Sequence, residues 1–177
     1  VVERVRAVKD EYEQSTLREA GRLLSIVAAD VSRIIESGRQ EREVAMEIDA
    51  NLRCAGFERP AFDTIVASGP NSALPHAQPS ARVFTEGDIV LLDFGGVLDG
   101  YCVDLSRVAT IGAPSEVALR LHSAVKAAQA AAITAVRPGV WASDVDGAAR
   151  RVLEESGLGE AFGHGTGHGL GLEIHED

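Results

Sequence analysis

The chain has 177 residues, 45% of them hydrophobic and 25% charged, which is enough for one ordinary core or one domain with a lobe attached. Its 17 basic residues against 27 acidic ones give a formal net charge of −10, which argues against nucleic acid as a partner because binders of a phosphate backbone carry a basic stripe. No apolar run approaches the roughly 18 residues of a membrane span, and two cysteines are too few for a disulfide framework or a four-cysteine zinc site, which points to reduced thiols, a cytoplasmic setting and no membrane partner.

From Val1 to about Ser37, apolar residues such as Val5, Val8, Tyr12, Leu24, Val27 and Val31 recur at helical spacing. They predict one long helix or two joined ones, stopped at Ser37-Gly38. Opening on Val1 rather than methionine suggests an excised piece or a start that lies upstream, and no signal segment is expected. A second helix fits Gln40 to Cys54, with Val44, Ile48 and Leu52 on one stripe and Gly56 ending it. Phe62 to Ser68 reads as a strand, and Gly69 to Ser80, which holds three prolines and His76, as a loop. Asp88 to Gly95 and Tyr101 to Thr110 read as two strands with a short turn between them. Pro114-Ser115 opens an alanine-rich helix to about Val136, and Arg137-Pro138-Gly139 breaks it. Ala142 to Ser156 is a further helix, with Ser143 a candidate N-cap and Gly157 a candidate C-cap. In the tail, Phe162 to Asp177, the alternation of Leu170, Leu172 and Ile174 predicts a packed strand. The order suggests two similar halves of an α+β fold, about residues 1–111 and 114 onward, although no residue-level repeat supports it.

Asp93 and Asp104 are the first residues that point to chemistry, because aspartate is disfavoured inside strands and each sits in an apolar one. A turn centred on Leu98-Asp99 places the two directly opposite. A turn centred on Asp99-Gly100, a favourable hairpin dipeptide, places Asp93 opposite Ser106 with Asp104 on the diagonal. Both registers put the carboxylates on one face of the sheet. Two close carboxylates repel unless something positive lies between them, and paired carboxylates bridge metals in hydrolytic sites. The plainer alternative is an arginine salt bridge for one and a turn cap for the other; Asp99 is better explained as a turn residue. Cys102 and Ser106 share the Asp104 face, the first as a small core residue and the second as a structural hydroxyl or a hydrogen-bond partner of a ligand carboxylate.

The tail holds three of the five histidines: His164, His168 and His175. His164 and His168 would share a face of an extended strand, whereas His175 needs a bend to join them. Imidazole mixed with carboxylate suits manganese, cobalt, zinc or iron. His76 stands alone in its loop, and His122 in the alanine-rich helix is assigned no role.

The strings LLDFGGVLDGYCVDLSR and GHGTGHGLGLEIHED together resemble the pita-bread metallopeptidases, in particular the Xaa-Pro dipeptidase and aminopeptidase P branch; methionine aminopeptidase is a more distant relative. The resemblance implies an α+β pita-bread fold, with pseudo-twofold halves around a curved antiparallel sheet that carries a dinuclear metal site. It implies that Asp93 is the bidentate ligand of one metal, that Asp104 bridges both, and that His168 completes one of them. His76 and His175 match histidines that contact substrate and steady the tetrahedral intermediate, and His164 matches an accessory histidine lining the site. The implied activity is hydrolysis of the Xaa-Pro bond of dipeptides or peptide N-termini. Two divalent metal ions would activate the water, manganese ahead of cobalt, zinc or iron. The partner is a peptide substrate, and a homodimer is compatible with the family. The family pattern continues with two more strands, each contributing a glutamate ligand, and Glu173 and Glu176 do not fill those positions. An amino-terminal domain common in the branch is also absent. Residues 1–177 are therefore expected to be an incomplete catalytic domain with little or no activity of its own. Methionine aminopeptidase, a creatinase-like metal-free hydrolase and an inactive binding module on the same fold are the alternatives. The retained Asp93, Asp104 and His168 count against the last two.

Overall fold

The structure, a computed structural model, describes residues 2–176. Val1 and Asp177, the ends of the expected first helix and tail strand, lie outside the described residues. The chain forms two compact units, Val1–Pro114 together with Gly169–Asp177, and Ser115–His168.

In the first unit the opening segment is two helices, α1 (Val2–Arg6) and α2 (Glu11–Val31). The restart has a local cause. Asp10 accepts the Glu13 N–H at 2.9 Å while the Glu13 carboxylate accepts the Asp10 N–H at 2.8 Å, a reciprocal cap that begins a new helix. Short-range bonds from Arg33 N–H to Asp30 and from Ile34 N–H to Val31 tighten the end of α2 at Val31, earlier than Ser37-Gly38. Helix α3 (Glu41–Cys54) buries Val44, Ile48 and Leu52 completely, as the stripe predicts.

The sheet is antiparallel, with β3 (Ile89–Leu98) at its centre. On one side β3 pairs with β1 (Arg59–Pro60) and β2 (Ile65–Ser68), and on the other with β4 (Tyr101–Thr110). Strand β1 is not foreseen by the sequence pattern, and β2 is shorter than expected. The change of partner falls at Gly95-Gly96, where β3 passes from β2 to β1. A Cβ at Gly95 would run into the Val103 carbonyl oxygen, and one at Gly96 into the Phe57 ring. Strand β3 continues past Gly95 to Leu98 because the turn is Asp99-Gly100, with φ of 50° and 80°, the left-handed pair that a two-residue hairpin requires. Val90, Leu92, Phe94, Val66 and Val103 face α2 and α3 and form the core with Leu24, Val27 and Ile48. The other face of the sheet carries Leu91, Asp93, Asp104 and Ser106.

The second unit packs α4 (Glu116–Ala135) on α5 (Ala142–Glu155) through Ala124, Ala128, Ala132, Ala149 and Leu153. Ser115 caps α4 by accepting the Ala118 N–H. Helix α5 differs from expectation, because its N-cap is Trp141 and not Ser143. The Trp141 carbonyl already accepts the Asp144 and Val145 N–H groups, which places Ser143 inside the helix. At its other end Ser156 is the C-cap and Gly157 follows it at φ 71°. The Gly157 N–H bonds to Glu154 and the Leu158 N–H to Leu153, the pair of backbone bonds typical of a glycine-terminated helix.

The expected tail strand does not form among the described residues. Gly169 and Glu176 instead exchange both backbone hydrogen bonds, at 2.9 and 3.0 Å, and close residues 169–176 into a loop. A backbone bond from Cys102 N–H to the Gly171 carbonyl at 2.7 Å ties this loop to β4. Alternating glycines leave one side of the segment without side chains to pack, which weakens a strand.

Candidate active site

Asp93 and Asp104 stand on the face of the sheet turned away from the helices. Asp93 lies opposite Ser106 and Asp104 opposite Gly95, so the Asp99-Gly100 register holds and the carboxylates are diagonal neighbours. Diagonal positions are about 7–8 Å apart, within converging reach of two side chains. The Ser106 hydroxyl donates to Asp93 Oδ1 at 2.6 Å and orients it. Both aspartates are half-buried, and Asp104 Oδ1 is withdrawn from solvent. Cys102, buried beside Val97, has its thiol pushed up by desolvation, which suits a small core residue. Asp99 is a turn residue whose carboxylate accepts the Tyr12 hydroxyl.

The histidines fall into both units. His76 is exposed in the loop that follows a short 3-10 turn, Gly69–Ala73. His175 is exposed in the closed tail loop of the same unit. It lines a cavity of about 320 Å³ with Glu3, Arg6, Glu173 and Glu176. Next to it the Glu176 carboxyl is raised by burial, but Lys9 at 2.9 Å and Arg6 outweigh this and hold it down at about 2.

His164 and His168 are exposed in residues 162–168 of the second unit. Two residues of α5 that the sequence pattern did not single out fix that segment. Asp146 accepts the Thr166 N–H at 2.9 Å and its hydroxyl at 2.8 Å. Arg150 bonds to Asp146 at 2.5 Å, donates to the Phe162 and His164 carbonyls at 3.1 and 2.6 Å, and stacks over the Phe162 ring. Arg150 first, then Thr166, hold the Asp146 carboxyl down at about 2. A depressed carboxyl stabilises the folded segment above its ordinary value of 3.8 and loses that contribution as pH falls through about 2. Protection of the Thr166 amide from exchange should therefore fall between about pH 4 and pH 2, with the β3–β4 amides as reference. A Thr166 amide that tracks the sheet across that window would rule out this anchor.

Residues 15–177 match metallopeptidase family M24. The chain belongs to that family. This M24 chain is 37% identical over 176 residues to Xaa-Pro dipeptidase of Pyrococcus horikoshii, covering 99% of this chain and 50% of that protein. It is 45% identical over 178 residues to the probable dipeptidase PepE of Mycobacterium tuberculosis, covering 100% of this chain and 47% of that one. The crystal structure of X-Pro aminopeptidase from Thermotoga maritima aligns with a TM-score of 0.95 at 41% identity, covering 99% of this chain and 50% of that one. The chain spans about half the length of the curated relatives it matches. The α+β architecture with its antiparallel sheet is that of the pita-bread fold, as the sequence motifs implied.

Membership of a metallopeptidase family implies divalent metal ions, and the carboxylate face of this M24 chain fits one. Two oxygen donors share the face, one is oriented by a hydroxyl, and their like charges favour a cation between them. Among the described residues no third histidine, cysteine, aspartate or glutamate joins them to make a group of three. His168 belongs to the other compact unit.

Proposed function

We propose that the protein carrying this chain is a metal-dependent peptidase that hydrolyses the Xaa-Pro bond of dipeptides or of peptide N-termini. The observation that carries this is the Asp93–Asp104 pair on one sheet face of an M24 chain. Likeness to an Xaa-Pro dipeptidase and an X-Pro aminopeptidase supports the choice of substrate. Asp93, Asp104 and His168 would hold two divalent ions, manganese first and cobalt, zinc or iron as alternatives. Such ions would supply Lewis acidity toward a peptide carbonyl and toward water. Ser106 keeps the Asp93 carboxylate in one orientation, as outer hydrogen-bond partners of ligands do. The exposed imidazoles of His76 and His175 would hydrogen-bond the charge that develops on the carbonyl oxygen, and His164 would line the substrate site. Residues 1–111 and 114–177 would then be parts of one catalytic domain.

The test compares Xaa-Pro, Xaa-Ala and amino-terminal methionyl peptides, with the longest natural reading frame containing this sequence, supplemented with manganese. Xaa-Pro peptides should be cleaved fastest. Faster cleavage of methionyl peptides would overturn the choice of substrate, and no cleavage of any peptide by metal-loaded protein would overturn the peptidase assignment.

A further inference from the structure

Glu41 is the first residue of α3 and is fully buried. A buried carboxylate is costly unless hydrogen bonds replace its water, and here they do. Its Oε1 accepts the Ser68 N–H at 2.7 Å, the Ser68 hydroxyl at 2.8 Å and the Asn71 amide at 3.1 Å. Its Oε2 accepts the same Asn71 amide at 3.1 Å, the Ser80 N–H at 3.1 Å and the Ser80 hydroxyl at 2.6 Å. Burial alone would raise the Glu41 carboxyl, but the Ser80 and Ser68 bonds outweigh it and leave the group below its ordinary value.

The donors are distributed in a telling way. Ser68 is the last residue of β2 and Asn71 sits just beyond it, whereas Ser80 closes the proline-rich loop. Glu41 therefore grips both feet of the segment whose middle carries the exposed His76. Ser68 pairs with Val90 and Ile65 with Asp93, so the near foot belongs to the ladder that places the site carboxylate. Arg82 reinforces the far side, bonding the Ser68 hydroxyl at 2.5 Å and both oxygens of Asp88 at 2.6 and 2.8 Å. Stability alone gives little reason for such a network, because a well-packed apolar replacement for buried charge is often as stable or more so. A fixed geometry for the loop does give a reason.

We propose that Glu41 is a positioning residue, which holds His76 in register with the strand that carries Asp93. This rests on the peptidase assignment, in which His76 contacts the substrate. Glu41→Gln is the test, because it preserves shape and removes charge. Whichever way the amide turns, its NH₂ faces either the Ser68 or the Ser80 backbone N–H, and a backbone donor cannot reverse its role.

In the longest natural frame, Glu41→Gln should lower kcat/KM on Xaa-Pro peptides on the order of 10²-fold, the scale of a small misplacement of a substrate-contacting group. In a His76→Ala background the same substitution should cost no more than about twofold, since the group it positions is gone. Equal losses in both backgrounds would mean a purely structural role and would overturn the proposal. A second readout needs no activity. Amides of residues 71–80 should lose exchange protection in Glu41→Gln while those of β3 and β4 keep theirs, and an unchanged loop would also overturn it. If the wild-type protein cleaves no peptide, the peptidase assignment fails and the exchange experiment still decides whether Glu41 fixes the loop. Should Glu41→Gln fail to fold, Asn71→Ala, which deletes the one donor shared by both oxygens, carries both measurements with the same expected pattern.

Discussion

In the longest natural reading frame containing this sequence, Asp104→Ala is expected to abolish the proposed peptidase turnover while leaving the fold in place. Asp104 projects from β4 on the face opposite the helical core, so its removal takes nothing from the packing of Val103, Leu105 and Phe94. The core of the sheet is left intact, so cooperative unfolding should persist in the variant. Metal assistance contributes several kcal/mol to hydrolysis, and at about 1.4 kcal/mol per tenfold its loss corresponds to a fall on the order of 10³-fold in kcat/KM. The measurements are turnover of an Xaa-Pro peptide, bound metal by elemental analysis, and thermal unfolding. A variant that retained near-normal turnover with metal bound would remove Asp104 from the site.

Phe94→Ala, one residue from Asp93 but on the opposite face, should behave in the reverse way. Phe94 is among the largest fully buried side chains and packs with residues of α2, α3 and β4 in the main core. Emptying such a position costs about 3–5 kcal/mol, the transfer of the ring plus the cavity it leaves. Many domains have only about 5–15 kcal/mol in all. The expected result is a large drop in the denaturation midpoint, with folded protein recovered only at low denaturant. Ile133→Ala on exposed α4 serves as the control and should change stability by no more than about 0.5 kcal/mol. A Phe94→Ala cost below about 1 kcal/mol would mean that this face of the sheet is not the core.

Sequence pattern carried furthest where burial and periodicity coincide. Val44, Ile48 and Leu52 define α3 because all three are fully buried, and the Asp99-Gly100 dipeptide sets the hairpin because both residues take left-handed φ. The same periodicity misleads where nothing covers the stripe. Val5, Val8 and Tyr12 are 71%, 82% and 59% exposed, so the apparent continuity through residues 7–10 reports no packing, and a polar cap at Asp10 decides the break. In the tail, the alternation of Leu170, Leu172 and Ile174 suggests a strand, yet Leu172 is exposed, with Gly171 before it and the exposed Glu173 after it. Asp93 and Asp104 stood out because a carboxylate inside an apolar strand is anomalous on its face. Glu41 and Asp146 could not stand out in that way. A glutamate in the first turn of a helix and an aspartate four residues before an arginine are ordinary solvated features. Their partners, Ser68 to Ser80 and Thr166, lie far along the chain.

The bare backbone at Gly95 and Gly96 also limits how this site can change over generations. Any side chain at the first would strike the backbone of β4, and any at the second would displace the Phe57 ring. Two successive positions just past Asp93-Phe94, the first of them opposite Asp104, are thus closed to variation. Inherited or engineered adjustment of the carboxylate face is left to positions such as Ile65, Leu91 and Ser106, whose side chains share that face and are not fully buried. A mutational library aimed at altered selectivity should be spent there.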